Sequence, residues 1–295
     1  MNRKQYVITM AVYSSLSVIA LITNAIWNYT NTILIITGIF VGYLFIRYRV
    51  DGRLQYFSSR FNMLLDYDLD VKQALDMALN AYENAPTANM KASYALYVGL
   101  AHYYCGNYDE AIKTFNQLEL QRMNPVFHAL VFSFTAYSAF EIGDNETFDS
   151  CLARMESLVG QVPNKYQAFV GNYREVLEAI KNMEFDHEGY LNMVEKHFAN
   201  DDGYIARKLN YEYRKAYYYK MEGNTLEMDK CLAFCIANGK EQHLAARAKS
   251  MFQGSVNVED YIYDPMKTNS VKDNEEVEVV ELEELEPIDK EDEIK

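Results

Sequence analysis

Proline is nearly missing from the middle of this chain: between residues 53 and 254 it occurs three times, as Pro86, Pro125 and Pro163. No stretch there alternates apolar and polar residues for long enough to make a strand, so a β or α/β architecture is excluded and helices are expected throughout. Motifs that carry chemistry are missing too. There is no glycine-rich phosphate loop, no paired-glycine strand-to-helix turn, no His-Glu-x-x-His, and no Ser or Cys in a nucleophile setting. The histidines His102, His128, His187, His197 and His243 are scattered. His187 and His197 lie near Glu188 and Glu195, where a metal is conceivable, but surface histidines on a charged helix are the commoner use of that pattern. Asp201-Asp202 reads as loop and cap. No catalytic residue, metal or cofactor is assigned, and the chain is not expected to be an enzyme. The four cysteines, Cys105, Cys151, Cys231 and Cys235, lack zinc spacing and are read as buried thiols in a reducing compartment.

Charge is absent from one long stretch. The 42 residues from Gln5 to Ile46 carry none. The polar cluster Asn28-Tyr29-Thr30-Asn31 divides them into two spans, residues 6–27 and 30–46. At a rise of 1.5 Å per residue the first measures about 33 Å and the second about 25 Å. Arg47 and Arg49 make up the deficit by snorkelling, with Tyr48 at that interface and Trp27 and Tyr29 at the other. A two-helix transmembrane hairpin over residues 1–50 is expected, which makes the lipid bilayer a partner. Arg3 and Lys4 precede it, Arg47, Arg49, Arg53 and Arg60 follow it, and the connecting loop has no basic residue. By the positive-inside rule both termini and everything after the spans are cytoplasmic. No clean small-x-small cleavage site supports a signal peptide instead. Gly38 and Gly42, four apart, allow close helix packing, either against the first span with its Ser14, Ser15 and Ser17 or against a second copy in a homodimer.

The far end is the opposite. Residues 256–295 hold 15 Asp/Glu and 4 Lys/Arg, a net −11 of the chain's −14. Such a tail argues against nucleic acid as a partner, and disorder is expected over residues 255–295. Its apolar residues, as in Val277-Glu278-Val279-Val280, leave open a plain solvated extension or docking on a partner or in the protein's own groove.

Between these ends stands Gly106-Asn107-Tyr108-Asp109-Glu110-Ala111-Ile112-Lys113-Thr114-Phe115. It resembles the turn and second helix of a tetratricopeptide repeat, with Gly99 at the family's small position of the first helix; His102 and Ala95 stand where Tyr and Trp are usual. Asp70-Val71-Lys72-Gln73-Ala74 aligns with the same helix, so that Ala74 and Ala111 are 37 apart, and Ala81 and Pro86 fall on the family's Ala and terminal Pro. Gly143-Asp144-Asn145 and Glu222-Gly223-Asn224 repeat the turn, Gly143 again 37 after Gly106. Five hairpins follow, near residues 53–83, 89–121, 125–159, 164–200 and 203–237, then an amphipathic stretch over 240–252 read as a capping helix. The fold expected is all-α: a transmembrane hairpin, a tetratricopeptide-like α-solenoid over residues 53–254, and the acidic tail.

The resemblance implies a groove lined by the first helix of each hairpin. In the second unit the lining positions are Ser93, Leu96, Tyr97 and Leu100; in the third Leu130, Ser133, Phe134 and Tyr137; in the fifth Asn210, Tyr213, Arg214 and Tyr217. Family members that hold a chaperone tail use Lys, Arg and Asn there, and this chain has few. Tyr97, Phe134, Tyr137, Tyr213, Arg214 and Tyr217 suit instead an apolar or amphipathic protein or peptide segment, although the same tyrosines also fit simple packing between helices. The function expected is a membrane-tethered scaffold or adaptor; the alternative is a ligand- or peptide-responsive sensor signalling through its spans.

Overall fold

A computed structural model of the chain describes residues 3–27, 30–199 and 204–263. Among them every regular element is helical: twelve α-helices with one π turn and two short 3-10 turns. The expected all-α class is what is found.

Helices α1 (Arg3–Trp27) and α2 (Thr32–Met63) are each long and apolar enough to cross a membrane. Buried Asn24, near the end of α1, ties their connection: its amide donates to Thr32 Oγ1 at 3.2 Å, and its side-chain oxygen accepts from the Thr30 amide at 3.0 Å. Asn31 then caps α2 by accepting from the Ile33 amide. The two helices meet at Gly42, where a Cβ would lie 3.0 Å from the Tyr13 ring, and the Tyr13 hydroxyl donates to the Ile39 carbonyl. Gly42 therefore meets Tyr13, and Gly38 has nothing within 4 Å of a built Cβ.

Helix α2 does not end with its apolar run. It continues through Arg47 and Arg49 to Met63, 32 residues in all or about 48 Å of unbroken helix. Val50, Phe57 and Phe61 on its second half are buried. It closes in a π turn, Leu64–Asp68, after which Leu69 at φ 54° reverses the chain.

The rest follows as α3 (Val71–Glu83), α4 (Ala88–Tyr104), α5 (Tyr108–Asn116), α6 (Pro125–Ile142), α7 (Asn145–Val159), α8 (Asn164–Asn182), α9 (His187–Phe198), α10 (Ile205–Met221), α11 (Thr225–Asn238) and α12 (His243–Met251). Each packs on the next, with α4 also against α6 and α6 against α8. Local chemistry sets the ends. Asp70, Thr87, Asn124, Asp144, Asp186 and Asn224 each accept a hydrogen bond from an amide two or three residues on, satisfying an orphan donor of the first turn. Pro125 occupies the first helical position of α6, where its missing N–H costs nothing. The three turn glycines sit in the left-handed region, Gly106 at φ 78°, Gly143 at 76° and Gly223 at 68°. After each, the next amide reaches five residues back, Asn107 to His102, Asp144 to Ala139 and Asn224 to Tyr219, all at 2.9 Å. That is one closure used three times, and only glycine adopts it without strain.

Packing follows from small residues placed opposite large ones. Ala111 is fully buried, Phe115 is 2 % exposed, and Gly99 lies so close under the Phe115 ring that a Cβ there would overlap it. One apolar core joins Phe57 and Phe61 of α2 to Ala74 and Ala78 of α3 and to Tyr94 and Val98 of α4. A second runs from Leu96 and Phe115 to Tyr190 and Val194 of α9.

The last helix does more than cover α11. Gly239, too close to Cys235 O and to Ala245 to carry a side chain, and Lys240 at φ 48° turn the chain sharply. The leading turn of α12 then meets the start of the helical array: Lys240 Nζ donates to the Asp68 carbonyl at 2.6 Å, Gln242 Nε2 to the Leu65 carbonyl at 2.9 Å, and Glu241 pairs with Lys72 at 3.0 Å. Beyond α12 the amides of Gln253 and Ser255 donate to the buried Asp229 carboxylate at 3.0 and 2.7 Å. A 3-10 turn, Val258–Tyr261, lies on α11, where the Tyr261 carbonyl accepts from Asn238 at 2.8 Å. Residues 255–263, expected as the start of the tail, are thus folded; residues 264–295, like Asp201-Asp202, lie outside the described residues.

Candidate functional site

Helices α4, α6, α8 and α10 contribute to one pocket of about 430 Å³. From α4 come Tyr103 and Tyr104, from α6 Phe134 and Tyr137, and from α8 Asn172 and Tyr173. His197 and Phe198 end α9 there, and α10 supplies Arg207, Asn210 and Arg214, the last two one turn apart; Asp66 of the π turn completes the wall. The rings pack edge to face, Tyr103 on Phe134 at 5.1 Å between centroids and Phe134 on Tyr137 at 5.6 Å. Burial pushes the tyrosine pKa values up at Tyr103, Tyr104, Tyr137 and Tyr173, so all four are neutral phenols.

Arg214 is set into this aromatic wall. Its guanidinium carbon lies 4.3 Å from the Phe198 centroid and 5.2 Å from that of Tyr137, cation–π distances on two rings. Its Nε is shielded from solvent without a hydrogen-bond partner, and no carboxylate among the described residues pairs with it. Burial presses its pKa down, but the phenols of Tyr137, Tyr190 and Tyr103 and the Glu141 carboxylate hold it up; the net direction is upward, and the guanidinium stays charged.

Glu141 is already occupied. Its carboxylate, 5 % exposed, meets Arg247 Nε of α12 at 2.6 Å and accepts from the Tyr213 hydroxyl at 3.3 Å. Burial pushes its pKa up against the opposing pull of Arg247. Next to it, His243 meets Tyr103 edge to face at 4.5 Å between centroids and its Nδ1 lies 2.8 Å from the Tyr108 hydroxyl. Burial, reinforced by Arg247 and Arg214, pushes the His243 pKa down to about 3, so the ring is neutral. Helix α12 therefore seals one side of the region with an ion pair and a neutral imidazole.

Of the six residues expected to share a groove, five lie together and Tyr97 lies apart. Phe134, Tyr137 and Arg214 line the pocket together. Tyr213 and Tyr217 line an adjoining narrow crevice that shares Tyr137 and Arg214 with the pocket and also meets Glu141 and Leu244 of α12, and Tyr213 is 5 % exposed. Tyr97 lies elsewhere: its hydroxyl donates to Ser58 at 2.8 Å and its ring meets Phe57 and Phe61 at 5.1 and 5.0 Å. The physical reason is α2, whose continuation past the apolar run packs on the face of α4 that carries Tyr97. Tyr103, Tyr104, Tyr173 and Phe198 join the site without having been singled out; the Tyr103-Tyr104 pair just ahead of the Gly106 turn was the available signal. No register was assigned within the fourth hairpin, so Tyr173 carried none.

The histidines of that hairpin are engaged separately, His187 with Glu222 at 2.7 Å and His197 with Glu175 at 3.1 Å. Among the described residues no three or more His, Cys, Asp or Glu side chains gather as a metal site. The cysteines are unpaired thiols, and burial pushes Cys105 and Cys151 up to about 11 and Cys231 and Cys235 higher still. No protein-family model, curated protein or solved structure matches the chain.

Proposed function

We propose that the chain is a membrane-tethered scaffold, a tetratricopeptide-like α-solenoid held at the cytoplasmic face of a membrane by a two-helix hairpin and binding a protein or peptide partner. The observation that carries this reading is α2, apolar in its first half and part of the domain core in its second. Exposed apolar side chains along both hairpin helices, such as Ile8, Leu16, Leu34 and Phe40, find their natural solvent in lipid. The thrice-used glycine closure and the Gly99, Ala111 and Phe115 packing support the repeat resemblance. Four helices presenting aromatic residues to one pocket support binding over catalysis.

The same α2 favours the sensor as second reading, because a ligand that shifts α4 against Phe57 and Phe61 shifts a helix that continues into the membrane. Site-specific photo-crosslinking in intact cells tests the scaffold. A benzophenone side chain at exposed Asn172, on the pocket wall, is expected to give a discrete protein adduct, and one at exposed Glu156 on α7 is not. Identical or absent adducts at both positions would count against it.

A further inference from the structure

The scaffold reading leaves the chemistry of Arg214 unused. A guanidinium removed from water ordinarily faces a carboxylate, because an uncompensated buried charge is costly. Here the groups around it are aromatic rings and the neutral Tyr190 hydroxyl, and the carboxylate that holds it up by charge, Glu141, is ion-paired with Arg247. The pocket in front of it is about 430 Å³, within the range of small-molecule sites. Its walls offer flat apolar surface from Phe134, Tyr137 and Phe198, and neutral phenol hydroxyls from Tyr104 and Tyr173.

We infer that this pocket is a binding site for a small organic monoanion, a carboxylate on a flat apolar body, with the carboxylate on Arg214 and the body between the aromatic rings. A guanidinium presents parallel donors that match a carboxylate in two-point geometry. Tyrosine hydroxyls bond a carboxylate as neutral donors without adding charge. A single negative charge is specified because Arg214 offers one two-point contact, and the other charged side chains on the wall, Asp66 and Arg207, are of opposite sign. This site shares its pocket with the wall probed for a partner at Asn172 but does not need that partner: the ligand is a small molecule, and its binding is measured on the isolated chain.

The test uses the full chain in lipid nanodiscs, titrated calorimetrically with 2-naphthoate, 2-naphthamide and 2-naphthyl phosphate. Naphthoate is expected to bind, the uncharged amide at least about tenfold more weakly, since one charge-assisted two-point contact is lost. Arg214→Gln is expected to remove the difference between acid and amide, while Lys215→Gln on the same helix keeps it. Because Arg214→Gln also removes packing, the comparison of acid with amide on the unaltered protein stands alone as a criterion. Equal binding of acid and amide, no binding of naphthoate at millimolar concentration, or tighter binding of the phosphate would overturn the proposal.

Discussion

Replacing the three turn glycines by alanine separates backbone strain from packing, because the surroundings differ while the conformation does not. Gly143 and Gly223 have nothing within 4 Å of a built Cβ. For them the cost is the left-handed conformation alone, about 1–2 kcal/mol for an L-residue with a Cβ. Alanine also restricts the unfolded chain, which returns about 0.4–1 kcal/mol. The net loss is about 1 kcal/mol each, or about 2–4 °C in Tm for a domain of this size. Asparagine at the same positions is expected to lose less, since its side chain tolerates that region. Gly106 carries an extra term: its Cβ would lie 3.3 Å from His243 Cβ, tight enough to press on α12. Gly106→Ala should therefore be the most destabilising of the three. The assay is thermal unfolding of the full chain in detergent followed by near-ultraviolet tyrosine dichroism, which reports side-chain packing. Equal losses at all three positions would refute the contact between the Gly106 turn and α12. An unchanged Tm at Gly143 and Gly223 would refute the left-handed closures themselves.

Three further outcomes follow from buried contacts. Ala111→Leu places extra methylene groups where alanine is fully buried, and overpacking there should cost about 1–3 kcal/mol, seen as a lower urea midpoint with unchanged slope. Arg247→Met leaves the buried Glu141 carboxylate without its cation, a loss of about 3 kcal/mol at neutral pH; with its pKa already pushed up, Glu141 takes up a proton more readily in the folded state, so the loss should shrink as pH falls toward the carboxylate range. His243, held neutral down to about 3, binds a proton in the unfolded chain near 6.5 but not in the folded one, so stability should fall with pH across that window, by at most about 1.4 kcal/mol per unit. His243→Gln should flatten that slope, and an equal slope in the variant would remove the assignment.

What could be read from the sequence was what depends on neighbours in sequence. The Gly-Asn and Gly-Asp turns at Gly106, Gly143 and Gly223 specify their closures within a few residues, and the caps at Asp70, Asp144 and Asn224 do the same. The unread parts rest on distant partners. Gln242 meets Leu65 across 177 residues, and no local pattern in Lys240-Glu241-Gln242 announces it. Arg47 and Arg49 end the uncharged run, yet nothing there breaks a helix, so α2 runs on and takes Tyr97 for its own packing. Arg214 was legible as a groove residue because of its register on α10, but its lack of a carboxylate partner is a property of three-dimensional neighbours alone.

The most direct test of the central claim, a binding domain tethered through two membrane spans, is sidedness. Thr30, exposed at the tip of the hairpin, and Lys295 are replaced singly by cysteine and exposed in intact cells to a membrane-impermeant maleimide. The native thiols supply little background, since Cys151, Cys231 and Cys235 are buried and burial keeps these three and half-buried Cys105 protonated. Thr30→Cys is expected to label at once and Lys295→Cys only after the cells are permeabilised. A Lys295→Cys protein that labels in intact cells, or a Thr30→Cys protein that does not, would contradict the account.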